Sequence, residues 1–316
     1  LAIDTETTGL DPLKDRIRLI QIGAPVATPL LLDMFALEKG QIITTLLGLF
    51  RDTGTTKLFQ NAKFDLSFLK IAGIDVEGPV FDTMLAEQLI LSGLGNSPVN
   101  LAALSKKYLQ KPLPKQQQKS DWSGELSKEQ LEYAARDVAV LLELYKPLFE
   151  AIKKAKLSEV AQIEFETLPA VVELELNGIL LDRQKLENLT EKLRMELEEA
   201  EAECRKLFGD GINLNSHKQL LEAFRKRGIK AESTSVETLK SLEKKHPEVA
   251  VILQYRKASK AVSTFSSKLP GFIHPLTGRI HSSYRQLGAA TGRFSCSNPN
   301  LQQVPNETRF RECFIP

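Results

Sequence analysis

Residues 1–10, LAIDTETTGL, carry the reading on which the fold turns. Their apolar start, IRLIQIG at 17–23 and PLLLDM at 29–34 read as three strands, separated by the turn-rich TTGLDPLKD and GAPVATP. Period-two alternation puts Asp4 and Glu6 on one face of the first strand, immediately before the turn Thr7-Thr8-Gly9. Such a pair can converge its oxygens on a hard divalent cation. Taken alone, Asp-x-Glu at a strand end fits a surface turn better than a metal site.

Beyond Glu38 the pattern mixes helices with short strands. LEKGQIITTLLGLF is amphipathic at helical spacing, KLFQ is a short strand, and FDLSFLKIAG is a short helix stopped by Gly73. VFDTMLAEQLIL, VNLAALSKKYL and LSKEQLEYAARDVAVLLELYKPLFEAI read as further helices, and residues 110–124 as a loop within the same domain. Early strands with helices around them predict an α/β domain over residues 1–155. From Asp182 the texture changes to a long charged helix, with Leu186, Leu189, Leu193, Leu197, Ala200, Cys204 and Leu207 at three- and four-residue steps. That narrow stripe needs a partner, for which the helical run at 247–269 is the candidate. GRIHSSYR then reads as a strand, with His281 within it.

Composition bounds the rest. The chain has 316 residues, 42% hydrophobic and 26% charged, a globular mixture with room for two or three domains. It has no run of 18 apolar residues, so no membrane span is expected. Cys204, Cys296 and Cys313 form no CxxC pair, which suits a reducing cytosol rather than a zinc or disulfide scaffold. Leu1 opens inside a strand pattern with no initiator Met or signal peptide ahead of it, the start expected of a fragment. The net charge of +2 is unevenly spread. Residues 1–150 carry 16 Lys+Arg against 19 Asp+Glu, and 151–217 carry 9 against 14, whereas 218–264 carry 11 against 5 and 265–316 carry 6 against 2. An acidic front and a basic back fit a metal site followed by a polyanion-binding surface, and also fit solvated surface alone.

Two further acids fall in the first domain. Asp65 sits at a helix start in NAKFDLSFL, where a carboxylate also favours the helix dipole. Tyr133 and Asp137 lie four apart on one helix face. Asp4, Glu6, Asp65 and Asp137 together could share two cations and clamp the attacking and leaving oxygens of a phosphodiester, with Tyr133 orienting the water.

AIDTETTGL, NAKFD and YAARD resemble the three motifs of the DEDDy 3′–5′ exonucleases in order, in spacing and in the Tyr four residues before the last Asp. The resemblance implies a ribonuclease H-like fold. It makes Asp4, Glu6, Asp65 and Asp137 the catalytic metal ligands, and Tyr133 the water-positioning residue. Leu10 and Asn61 would line the pocket for the 3′-terminal nucleotide, with two Mg²⁺ or Mn²⁺ ions as cofactors. Asp4 would bridge both ions, Glu6 and Asp137 serving the nucleophile side and Asp65 the other. Lys63 gains no role and reads as a solvated lysine beside the helix.

Ribonuclease D and the RecQ-associated exonucleases share these motifs, so the second half must discriminate. LELNGILLD, NLNSHKQL, STSVETLKSL and LQYRKASKAVSTF resemble, in order, the thumb of family A DNA polymerases of the bacterial DNA polymerase I type. HSSYRQLGAATGRFSCSNPNLQQVPN resembles the opening of their palm. The implied architecture is a 3′–5′ exonuclease domain (1–155), a mainly helical thumb (156–272) and the start of an α+β palm (273–316). Asn213, Asn215, Ser216 and Lys218, at a loop-to-helix start, suit phosphate contacts. The resemblance puts Arg256 and Lys260 on the primer–template backbone. Arg225, Lys226 and Arg227 read as a general electrostatic patch. Arg293 resembles the family arginine at the minor groove near the primer terminus. Asn300, Gln302 and Gln303 would lie beside it, where amides suit acceptors common to all base pairs. Gln303 departs from the family's usual Asn.

The family's polymerase acids lie in later palm motifs and the fingers are missing, so no templated synthesis is expected from this chain alone. Phe310, Phe314 and Ile315 are expected to be uncovered. The partners implied are single-stranded 3′ ends and primer–template duplex, with no membrane, for a monomer in the cytoplasm at the nucleoid; an organelle or phage origin also fits. The competing readings are a ribonuclease D-like exoribonuclease and a DNA-binding module with an inactive exonuclease site.

Overall fold

A computed structural model describes residues 1–37, 39–92, 94, 97–114 and 120–315. The chain forms two compact units, one of residues 1–178 and 282–302, the other of 179–281 and 303–316.

The first unit is built on five strands: β1 (Ala2–Thr7), β2 (Ile17–Gly23), β3 (Leu30–Asp33), and, after α1 (Lys39–Phe50), β4 (Lys57–Phe59); α2 (Ala62–Ile71) precedes β5 (Val80–Asp82). The order is β3-β2-β1-β4-β5, antiparallel from β3 to β1 and parallel from β1 to β5. β2 is buried at every residue, including Arg18 and Gln21, which interrupt its apolar run. α3 (Thr83–Ile90), α4 (Leu101–Leu104, continued by a wider turn to Leu109), α5 (Lys128–Lys154) and α6 (Ser158–Asn177) complete the layers. VFDTMLAEQLIL is therefore not one helix. The Asp82 carboxylate caps α3 by accepting from the N–H groups of Met84 and Leu85, and the residues before this cap stay extended to pair with β4.

The sheet has two covered faces. Ile3, Ile20 and Ile22 pack with Phe68 and Leu69 of α2, and with Leu168 and Val172 of α6. Ala2 and Leu58 pack with Val138, Leu141 and Leu144 of α5 on the other side. α5 is long because its buried residues recur at three- and four-residue steps, and because Ser127 and Gln130 exchange hydrogen bonds in a capping box at its start. α6 belongs to this unit, so the compact boundary falls at Gly178 rather than at residue 155. In the 110–124 loop Trp122 is buried against Leu19 and Ala134, while residues 115–119 lie outside the described residues.

The second unit carries β6 (Ile179–Leu181), α7 (Arg183–Phe208), α8 (His217–Lys226), α9 (Val236–Glu243), α10 (Pro247–Ala261) and β7 (Arg279–Ile280). β8 (Ser283–Arg285) and β9 (Ser295–Ser297) form a hairpin of the first unit; α11 (Thr308–Arg311) and β10 (Phe314–Ile315) return to the second. The α7 stripe is buried as its spacing predicts, but it serves two clusters. Ala200 and Cys204 pack with Val249, Ile252 and Tyr255 of α10, whereas Leu186, Leu189 and Leu193 pack with Phe265, Leu269 and Phe310. GRIHSSYR is not one strand: Arg279–Ile280 pair with β6 and Ser283–Arg285 with β9. His281 sits at the break and meets Thr277 Oγ1 at 2.7 Å. Phe310, expected to be uncovered, is 1% exposed with its ring 4.6 Å from that of Phe265. Phe314, paired with Leu181, is half-buried, and Ile315 remains exposed.

Candidate active site

β1 carries functional side chains on both faces. Ala2, Asp4 and Glu6 share the face toward α5, and Ile3 and Thr5 the face toward α2. Asp65, 2% exposed on α2, reaches the strand from the far side, where its Oδ1 accepts from Thr5 Oγ1 at 2.7 Å. Asp137, on the buried stripe of α5, is hydrogen-bonded to the Tyr133 hydroxyl one turn away. Four acids from β1, α2 and α5 thus lie near enough to one end of β1 to act on one another's charge.

Their electrostatics follow from that gathering. Burial, then the charge of Asp137, pushes the Asp4 carboxyl up to about 7. Glu6 is raised by burial and by Asp4, Asp137 and Asp65, and Asp65 by burial and Asp4. Burial lifts Asp137 to about 6, against the pull of the Tyr133 hydrogen bond and of Arg136. The Tyr133 phenol is pushed far up by burial and by Asp137, so it stays a hydrogen-bond donor at any physiological pH. Among the described residues no three His, Cys, Asp or Glu side chains already stand as an ion-gripping group. An all-carboxylate donor set fits a hard divalent ion such as Mg²⁺ or Mn²⁺.

The same unit holds a cavity of about 740 Å³, lined among others by Leu10, Asn61, Lys63, Asp82, Tyr284 and Gln286. Leu10 is exposed, on a turn held tight because a Cβ on Gly9 would stand 2.3 Å from the Asp15 carboxylate. Asn61 adopts φ 67° at the start of α2. Asp82 fixes that start: besides capping α3, it accepts from the Asn61 and Ala62 N–H groups at 3.1 and 2.8 Å. Lys63 is not solvated. Its ammonium donates to Glu175 at 2.6 Å and to the Tyr284 carbonyl at 2.7 Å, tying α2 to α6 and to the β8–β9 hairpin. Thr5, Asp82 and Glu175 were not singled out in the sequence. Thr5 carried a signal, standing between the two acids on the strand's other face, whereas Glu175 carried none.

The basic half divides by what its side chains already do. Asn213 Oδ1 accepts from the Asn215 N–H, and Ser216 caps α8 by accepting from the Gln219 N–H, so this loop is a helix cap with exposed Lys218 beside it. Arg256 is half-buried and bonded to the Thr234 carbonyl and hydroxyl, the latter at 3.1 Å. Lys260 is exposed. Arg293 and Gln303 are exposed, Asn300 Oδ1 accepts from the Gln302 N–H, and the Gln302 amide donates to the Phe294 carbonyl at 3.2 Å.

Comparison with known proteins decides what this arrangement belongs to. Residues 1–153 match the 3′–5′ exonuclease family, and residues 183–316 match DNA polymerase family A. DNA polymerase I of Borreliella burgdorferi is 34% identical across the whole chain, and that of Pseudomonas aeruginosa 31%. The chain belongs to the family A DNA polymerases. It spans 37% and 38% of the length of those two relatives. The polymerase domain of Pol1 from M. smegmatis, solved in complex with DNA primer-template and dNTP, has the same fold: TM-score 0.80 at 24% identity, over 99% of this chain and 54% of that one. A nuclease solved in its apo form shares 32% identity over 56% of this chain and 84% of its own, with a TM-score of 0.50. The chain thus joins an α/β exonuclease domain to a mainly helical region. Among the described residues no helix is long and apolar enough to cross a membrane.

Proposed function

We propose that the chain hydrolyses DNA from its 3′ end, releasing nucleoside monophosphates, as the proofreading part of a DNA polymerase I-type enzyme. The gathering of Asp4, Glu6, Asp65 and Asp137 at one end of β1, with Tyr133 bonded to Asp137, carries this reading. The four carboxylates would hold two Mg²⁺ or Mn²⁺ ions, Asp4 serving both, Glu6 and Asp137 the one on the water side and Asp65 the other. Bound there, the ions would offset the charge that builds on the attacking and leaving oxygens of the phosphodiester.

The chain's own residues do the rest. Tyr133, kept protonated, orients the attacking water one helical turn from Asp137. Thr5 holds Asp65 in place from across the strand. Leu10 and Asn61, at the 740 Å³ cavity, receive the terminal nucleotide, whose frayed single strand costs least to supply at a mismatch. Asn213, Asn215, Ser216, Lys218, Arg256 and Lys260 hold the duplex backbone. Arg293, Asn300, Gln302 and Gln303 face its minor groove. The enzyme acts as a monomer in the bacterial cytoplasm, at the nucleoid. The helical region and the polymerase family match favour DNA over a ribonuclease D-like RNA substrate. Digestion of matched DNA and RNA single strands by the parent chain and Asp4→Ala tests this. DNA should be cut faster, and the variant should lose the activity by orders of magnitude while still folded. Equal digestion by the variant, or a preference for RNA, would overturn it.

A further inference from the structure

Gln21 is a buried polar side chain that the site above leaves unused. It lies on β2 directly opposite Asp4, and residues facing each other across an antiparallel pair share a face of the sheet. Its neighbours on that face fix where it points. Leu19 packs against Trp122 and Ala134, and a Cβ on Gly23 would meet Val138 and Leu142 at 3.3 Å. Gln21 therefore enters the layer between the sheet and α5 at the turn that carries Asp137, beside Asp4. The residue is fully buried, and neither its amide nitrogen nor its amide oxygen has a hydrogen-bond partner among the described residues. A buried amide without a partner opposes folding, and a Leu or Met of similar size would fill the space without that cost.

We propose that Gln21 is a positioning residue for Asp4: its side-chain N–H, unpartnered among the described residues, would donate to one Asp4 carboxylate oxygen once divalent ions draw the other, fixing the rotamer in which that oxygen faces them. The inference rests on the exonuclease reading above. A neutral donor suits the task, because it orients a ligating carboxylate without cancelling its charge, as a lysine there would. Such outer partners are worth about 10–100-fold in metal affinity or activity.

Calorimetric titration of Mn²⁺ into the full chain tests this, with Gln21→Leu and Gln21→Met as variants and Asp4→Asn as control. Both Gln21 variants should bind Mn²⁺ about 10–100-fold more weakly. Their kcat on single-stranded DNA should fall with KM unchanged, and their thermal midpoints in EDTA should equal or exceed the parent's. A merely structural glutamine would lower that midpoint and leave Mn²⁺ affinity alone, which would overturn the proposal. If Gln21→Leu does not fold, Gln21→Met carries the same comparison. Binding that is lost in Asp4→Asn but kept in the Gln21 variants would sink the role of Gln21 alone. No binding by the parent chain would sink the exonuclease reading with it.

Discussion

Asp65 is anchored to the first strand by the Thr5 hydroxyl, which donates to it at 2.7 Å. Thr5→Val keeps the shape and removes the donor, so it should cost about 1–3 kcal/mol of stability, measured by urea unfolding. A variant as stable as the parent would show that Asp65 does not need the bond. Tyr133→Phe removes the hydroxyl that Asp137 holds. Its kcat on single-stranded DNA should fall up to about 100-fold with KM little changed, the scale of a misplaced reactant. An unaltered kcat would take the water-positioning role from Tyr133. At this scale the four acids were legible in the sequence, because strand period, helix period and motif order each mark them locally. Asp82, Glu175 and Gln21 were not, because their roles come from partners 20 to 112 residues away or across a strand pair.

Elements are where the buried acids act on stability. Burial lifts Asp82 to about 6 even though four backbone N–H groups pull it down, and it lifts Asp137 to about 6 and Asp4 to about 7. These folded values lie above the ordinary one of 3.8, so between the two the folded chain holds protons that the unfolded chain has released. The stability they contribute is fully present below 3.8 and is lost as pH rises to about 7. In EDTA the parent's thermal midpoint should therefore fall more steeply over that window than that of Asp4→Asn, and Mg²⁺ at neutral pH should restore part of the loss. Parallel profiles would contradict the assigned burial of Asp4. The same logic explains what sequence periodicity missed in VFDTMLAEQLIL. The apolar spacing is helical, but the Asp82 cap sets the helix start three residues in. The long helix of the second unit was legible because its stripe repeats for seven turns. That the stripe serves two clusters was not legible, since the partners lie as far off as Phe310. Leu193→Ala, at 0% exposure on that stripe, should cost about 2–5 kcal/mol.

For the whole molecule, the charge asymmetry fits a polyanion partner as well as solvated surface, and does not say which cations would touch such a partner. Exposed Lys260 and half-buried Arg256 separate two ways of being basic. Lys260→Ala should weaken duplex binding, lower the salt slope by about 1 and leave stability unchanged. Arg256→Ala should lower stability as well, because the Thr234 carbonyl loses the guanidinium that donates to it. Equal thermal midpoints for the two variants would contradict that division. The measurement closest to the central claim is a time course on a 5′-labelled primer with a 3′ mismatch, run with Mg²⁺ and with EDTA. The account predicts stepwise shortening from the 3′ end with Mg²⁺ and none with EDTA. Shortening that persists in EDTA, or an intact primer under both conditions, would contradict it.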